Sequence, residues 1–292
     1  MRRAAGGGHY PGEVNIDLHT HSSASDGTDA PGTVVADAAA AGLDVVALTD
    51  HDTTAGWDEA ARAAQRVGVA LVRGTEVSAR AGGVSVHVLS YLQDPTHPVL
   101  LGELAQARES RRSRARRMVE LVAQDYPITW DDLLAQTVEG TTIGRPHIAD
   151  ALVAAGHVSD RSAAFATILR AGSPYYVAHY APDAVAAVRA VVAAGGVPVF
   201  AHPGATVRGR VVDDATIEAM VEAGLAGLEA DHRDHTPEQR DRLRDTARAL
   251  GLFVTGSSDY HGAGKPNRLG ENTTDRAVLE EIEARGFTDV VR

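Results

Sequence analysis

Again and again in this chain a short apolar run ends on a histidine or a carboxylate, and that recurrence limits the possible folds more than any other feature. Residues 14–18 lead into His19, His21 and the turn Ser25-Asp26-Gly27. Residues 43–48 lead into Thr49-Asp50-His51, 69–72 into Gly74-Thr75-Glu76, and 197–201 into His202-Pro203-Gly204. Residues 252–255 lead into Ser258-Asp259-Tyr260-His261, while 84–92 alternate around His87. Strand-length runs separated by helical stretches imply parallel strands joined by crossover helices. In a barrel of such strands the C-terminal ends converge on one face, where active sites are built. Six imidazoles and three carboxylates on one rim are hard to explain as solvated surface. The pair His19 and His21 adds to this, because strand side chains alternate with period two and both rings point to one side.

The intervening stretches carry helix punctuation. Residues 31–41 are Ala-rich and close at Gly42, and 55–67 end at Gly68, with Thr53 or Thr54 as the expected cap. Thr236-Pro237-Glu238-Gln239 has the form of a capping box with Pro at the first helical position. Helices are also expected over 182–194, 215–222 and 277–285. Gly82-Gly83 breaks the chain before 84–92, which reads as an antiparallel excursion carrying His87. From 100 to 180 strand signals fade, the pattern turns helical, and 108–117 alone hold six arginines. The expected organisation is therefore a flexible leader at 1–12, a barrel built from 13–99 and 181–292, and a helical insertion at 100–180 over its mouth.

Composition narrows the chemistry. The 292 residues include no Cys, which excludes thiolate metal sites, disulfides and cysteine nucleophiles together, so any metal must be held by nitrogen and oxygen. A formal charge of −11 argues against coating long nucleic acid. Three divalent ions would nonetheless outweigh Asp26, Glu76 and Asp259 by about three charges, leaving a positive pocket suited to a small dianion. No run approaches the roughly 20 apolar residues of a membrane span, and the start lacks the apolar core of a secretion signal, so the cytoplasm is the expected location.

With these motifs assembled, the chain resembles the PHP (polymerase and histidinol phosphatase) family of metal-dependent phosphoesterases. The marks are D-L-H-T-H-S with S-D-G at 17–27, T-D-H at 49–51, G-T-E at 74–76, A-H-P-G at 201–204 and S-D-Y-H at 258–261. The resemblance implies an α/β fold, a distorted (β/α)7 TIM-like barrel with a mostly helical insertion. It also implies two or three metals at the C-terminal rim. His19, His21, Glu76 and Asp259 would hold one ion, Glu76 would bridge to a second with His87 and His202, and Asp26, His51 and His261 would hold the third. Some members have His where this chain has Asp26. Gly144-Arg145-Pro146-His147 and the insertion look most like the branch that hydrolyses nucleoside 3′,5′-bisphosphates and trims short RNA from its 5′ end.

The expected chemistry is attack on phosphorus by a hydroxide bridging the ions, with no protein nucleophile. Imidazole and carboxylate ligands suit Mn2+ first, then Fe2+ or Zn2+. Asp17 and Asp50 are candidates to accept the second ring N–H of a ligand histidine, and Asp50 could also shuttle a proton. Arg145 and His147 could hold a second phosphate or the base. Arg108, Arg112 and Arg116 lie on one helix face and could follow an RNA backbone, and His235 could reach substrate. His9, His97, His157, His179 and His232 are given no role. Three other readings compete. A histidinol-phosphate phosphatase would use the same chemistry. An amidohydrolase-like enzyme would need a mid-barrel Lys, whereas the only Lys here is Lys265, after the last metal motif. A catalytically silent, metal-stabilised binding module should show gaps among the nine ligands, and there are none.

Overall fold

The computed structural model describes residues 14–292, so the leader expected at 1–12 and His9 lie outside the described residues. Seven strands form one sheet: β1 (Ile16–Thr20), β2 (Val45–Leu48), β3 (Ala70–Ala81), β4 (Val84–Tyr91), β5 (Val197–Phe200), β6 (Gly227–Asp231) and β7 (Phe253–Gly256). They follow chain order across the sheet, and a Thr20 to Tyr260 bridge brings the last loop back onto β1, so the sheet curls into a nearly closed barrel. Neighbours are parallel except around β4, which is antiparallel to both β3 and β5. Gly82 and Gly83 explain that reversal. Their φ angles of 54° and 78° give the two-residue turn whose twist suits a hairpin. The hairpin keeps β3 going well beyond the expected 69–72, as a ladder in which Ser78 faces His87.

Helices α1 (Pro31–Ala40) and α2 (Trp57–Val67) cover one side of the sheet, packing Val35, Ala60 and Ala64 on Val46, Leu48 and Leu71. Alternate residues Val45, Ala47, Val72, Leu89 and Val199 turn to the inside of the curl. β1, β2 and β5 are thus buried on both faces, as parallel strands under crossover helices are. Neither Thr53 nor Thr54 caps α2: Gly56 stands at the N-cap, and Thr53 accepts instead from Ala55 N–H. The loop is pinned to β3 by Trp57 Nε1 donating to Gly74 O at 2.8 Å, which moves the helix start downstream.

Next come α3 (Pro98–Val122), α4 (Trp130–Leu134), α5 (Arg145–Ala154) and α6 (Arg161–Ala166). They share an apolar cluster of their own, including Met118, Leu133, Ile148, Leu152 and Leu169. The outer layer is completed by α7 (Ala184–Ala193), α8 (Asp214–Glu222), α9 (Pro237–Leu250) and α10 (Arg276–Arg285). Thr236 accepts from Gln239 N–H and Gln239 returns a side-chain acceptor to Thr236 N–H, the expected capping box of α9. Among the described residues no helix is long and apolar enough to cross a membrane.

Candidate metal centre

Glu76, 1% exposed in the middle of β3, is the hub. Its Oε2 lies 3.3 Å from His19 Nε2, 3.1 Å from His21 Nε2 and 3.1 Å from His51 Nδ1. Its Oε1 lies 2.8 Å from His87 Nδ1 and 3.2 Å from His202 Nε2. Beside it, Asp26 is 3.2 Å from His261 Nε2 and 3.8 Å from His51 Nε2. Asp259 Oδ1 closes the ring at 3.4 Å from both His21 Nε2 and His261 Nδ1 and 3.6 Å from His19 Nε2. All nine residues expected as ligands meet in one pocket.

Tautomers show what the pocket is built to hold. His19 Nδ1 donates to Glu229 Oε1 at 2.9 Å, and His21 Nδ1 donates to Ser25 Oγ at 3.3 Å, whose own proton goes to Asp50 Oδ1 at 2.6 Å. Both Nε2 atoms are left to take a proton or a cation, and they face each other at 3.0 Å. Against burial, neighbouring carboxylates raise both rings above their ordinary pKa, so a proton satisfies the pair in metal-free protein, and a bound cation would displace it. His261 repeats the pattern, with Nδ1 donating to Asp259 O at 2.8 Å and a buried Nε2 that makes no hydrogen bond. The buried Nδ1 atoms of His51 and His87 also lack hydrogen bonds, although each lies close to Glu76. Three groups, His19/His21/Glu76, His21/Asp26/His261 and His51/Glu76/His87, each bring their donor atoms within 4.8 Å of one another. This nitrogen and oxygen set fits borderline divalent cations.

The charges interlock. Burial would raise the Glu76 carboxyl, but His51, His87 and His19 outweigh it and hold it well below the usual range. Against burial, Asp259 and Glu76 raise His21 to about 9. Burial and Arg208 lower His202 to about 3, and burial, Lys265 and His21 lower His261 to about 4. Metal binding to such a site displaces protons.

Backbone strain helps to place the candidate ligands. His202 and Asp259 sit at φ 36° and 54°, and Asp52, next to His51, at 53°; side chains rarely adopt this region, and it collects at functional sites. Gly27 lets the Asp26 turn fold back, since a Cβ there would fall 2.5 Å from His21 O.

Several other expected contacts are corrected. Asp17 accepts from Ser258 and Gly270 N–H and orients no imidazole; the second N–H of His19 goes to Glu229. Asp50 accepts from Ser22 and Ser25, so it acts on His21 only through Ser25. Burial raises its pKa despite His21 nearby. His147 and His235 have no nitrogen left for substrate. His147 takes Gly144 N–H on Nδ1 and bonds Ser25 O through Nε2, both at 3.0 Å, which ties α5 to the Asp26 turn. His235 donates from Nδ1 to Ala230 O at 2.8 Å and takes Gly204 N–H on Nε2 at 3.1 Å. Arg145 bonds Leu169 O and lies over the Phe165 and Tyr176 rings. Arg112 and Arg116 lie over Trp130 on the exposed side of α3. The opposite side carries the arginines that face the barrel. Arg108 bonds Asp52 O at 2.6 Å, and Arg111 bonds Asp52 Oδ2 at 2.8 Å and Ser78 Oγ at 2.6 Å.

Replacing His235 by Ala should therefore weaken the fold before it touches chemistry. It orphans Ala230 O and Gly204 N–H at about 1–3 kcal/mol each. The expected result is a melting point several degrees lower. An unchanged melting point with a large fall in turnover would return His235 to the substrate.

A family model described as "PHP domain" matches residues 17–156. The chain is 37% identical over 278 residues, 93% of its length and 98% of the relative's, to a 3′,5′-nucleoside bisphosphate phosphatase of Chromobacterium violaceum. The chain belongs to the PHP family. A 5′-3′ exoribonuclease of Haemophilus influenzae is 35% identical over 84% of the chain and 89% of its own length. A solved structure from Bifidobacterium adolescentis, assigned as a metal-dependent phosphoesterase, superposes with a TM-score of 0.92 at 50% identity, over 95% of this chain and 98% of that one.

This PHP chain also uses residues that its motifs did not announce. Glu229, fully buried on β6, takes His19 Nδ1–H, His202 N–H at 2.7 Å and the Ser257 hydroxyl. The signal was available, since the apolar run 225–229 also ends on a carboxylate. Asp259 Oδ2 takes Arg208 Nη2 at 2.7 Å and Lys265 Nζ at 2.9 Å, and His232 stands 3.5 Å away. Nothing in the local sequence pairs Arg208 with Asp259, because their loops follow different strands.

Proposed function

We propose that this enzyme is a metal-dependent phosphoesterase that hydrolyses nucleotide phosphomonoesters, 3′,5′-bisphosphates foremost, and the 5′ end of short phosphorylated RNA. The observation that carries the reading is the facing pair of Nε2 atoms of His19 and His21 beside a buried carboxylate ringed by five histidines. The nine ligands would be His19, His21, Asp26, His51, Glu76, His87, His202, Asp259 and His261, with Mn2+ the first candidate and Fe2+ or Zn2+ behind it. Two or three such ions supply an activated water at neutral pH, neutralise phosphoryl charge and steady the leaving alkoxide.

The chain's own residues set the geometry. Glu76 turns one oxygen to each side, the placement of a bridging carboxylate. Glu229 and the Ser25–Asp50 relay fix the two tautomers that leave Nε2 free. Arg161 Nη1 donates to Asp26 O at 2.8 Å and, with His147, holds the Asp26 turn. The helices of 100–180 act as a subdomain that closes one side of the mouth, and Arg108 and Arg111 add positive charge there. Names of the relatives, a bisphosphate phosphatase and an exoribonuclease, support this substrate class. The cytoplasm, where nucleotides and short RNA are made and degraded, is the compartment we propose for this reaction.

The test is phosphate release with Mn2+ from 5′-AMP, a nucleoside 3′,5′-bisphosphate, 5′-phosphorylated RNA oligomers and histidinol phosphate, before and after chelation. The bisphosphate or the short RNA should lead, and chelated protein should be inactive until Mn2+ is restored. A lead by histidinol phosphate would redirect the substrate assignment. Loaded protein inert with every ester would favour a binding module.

A further inference from the structure

Four consecutive backbone carbonyls in the turn that carries Asp26 are held by groups of the helical insertion. Ser23 O accepts from Thr141 Oγ1 at 2.8 Å, Ala24 O from Thr142 N–H at 2.9 Å, Ser25 O from His147 Nε2 at 3.0 Å and Asp26 O from Arg161 Nη1 at 2.8 Å. Arg161 is fixed in turn by Asp150 of α5, its Nε and Nη2 each 2.6 Å from one carboxylate oxygen. Such a fork aims the guanidinium as well as pairing its charge. The barrel holds the same turn by other groups, since Asp50 accepts from Ser22 N–H and from the Ser22 and Ser25 hydroxyls.

The body that makes these contacts is packed separately from the barrel. Leu100 and Leu104, in the first turns of α3, join the barrel core with Val77, Val88 and Val188, whereas Ala115, Met118, Val119 and Val122, in its last turns, belong to the insertion's own cluster. The seam between turn and insertion is not packed shut. A cavity of about 520 Å3 lies along it, with Ser23, Gly27 and Thr28 on one side and Gln136, Val138 and Val153 on the other. Hydrogen bonds across such a seam exchange for bonds to water at small net cost, so the turn can be seated or released. We infer that the insertion seats Asp26 and thereby sets the occupancy of the third proposed ion, with Arg161 as the positioning residue, an inference that rests on the metal-centre reading above. Asp26 faces His261 and His51 at 3.2 and 3.8 Å, and those two follow β7 and β2 of the barrel. A ligand set whose carboxylate is steadied by one body and whose imidazoles belong to another is complete only while the two are docked. By contrast His19, Glu76 and His87 lie within strands, so the ions they would hold do not depend on that docking.

The test titrates chelated protein with Mn2+, reading free ion by electron paramagnetic resonance, for wild type, Asp26→Asn, Arg161→Met and the double variant. Asp26→Asn marks the third site. Arg161→Met should weaken that same site about 10- to 100-fold and leave the tighter sites unchanged. The double variant should bind Mn2+ no more weakly than Asp26→Asn alone, because both changes act on one ion. Arg161→Lys keeps a cationic donor and should recover part of the affinity. Thr141→Val removes another of the four bonds, leaves the Asp150–Arg161 pair intact, and should shift the same site in the same direction by less. Additive losses in the double variant, or equal weakening of every site together with a lower melting point, would leave Arg161 a merely structural part and overturn the inference. So would a wild type that binds only two ions. A wild type that binds none would overturn the metal-centre reading and the inference with it.

Discussion

Glu76→Gln should give a folded protein that no longer turns over phosphoesters. Gln keeps the shape of the side chain but removes the charge facing five imidazoles, and an amide nitrogen would then point at one side of the pocket as a donor where a lone pair is needed. Because the two oxygens face different histidines, one substitution weakens two proposed ion sites at once. Losing several kcal/mol of metal-borne charge stabilisation corresponds to a fall of ~10^3-fold or more in kcat at saturating Mn2+. Elemental analysis should show at least one ion fewer per chain, while far-UV circular dichroism stays unchanged. A variant that kept full metal content and lost less than about tenfold in rate would refute the bridging role of Glu76.

The proposed ligands were legible because the fold repeats one device. A strand ends, the next residues carry an imidazole or a carboxylate, and period two sets the direction, so His19, His21, His51, Glu76 and His202 could be read without knowing which strand neighbours which. Gly82-Gly83 announced the one reversal. Connections between loops were not legible. His19 and Glu229 are 210 residues apart, and only the closed sheet makes them partners. The imidazoles of His147 and His235 looked like free chemistry, because a sequence does not display the backbone groups that consume their nitrogens. Along α3 arginines stand on both sides, so spacing alone could not choose a face. The buried stripe Leu104, Ala107, Arg111, Arg114, Ala115 and Met118 decides it, and it mixes cations into an apolar row.

Glu229→Ala should damage both the metal site and the fold, which separates it from Glu76→Gln. Glu229 binds no proposed ion, yet it takes three donors: the His19 ring, the backbone N–H of His202 and the Ser257 hydroxyl. Its carboxyl is held below its ordinary range because His19 outweighs the effect of burial. Removing it frees the His19 ring to turn or to place its proton on Nε2, the atom proposed as a ligand. Loss of such an orienting carboxylate should lower metal affinity and turnover about 10- to 100-fold. The buried donors left behind should cost about 3–5 kcal/mol of stability, visible as a lower melting point in metal-free protein. Glu229→Gln retains an acceptor for His19 Nδ1–H and should fall between wild type and Ala in both measurements. If Ala and Gln bound Mn2+ as tightly as wild type, His19 would not depend on Glu229 for its tautomer, and Glu229 would have no orienting role.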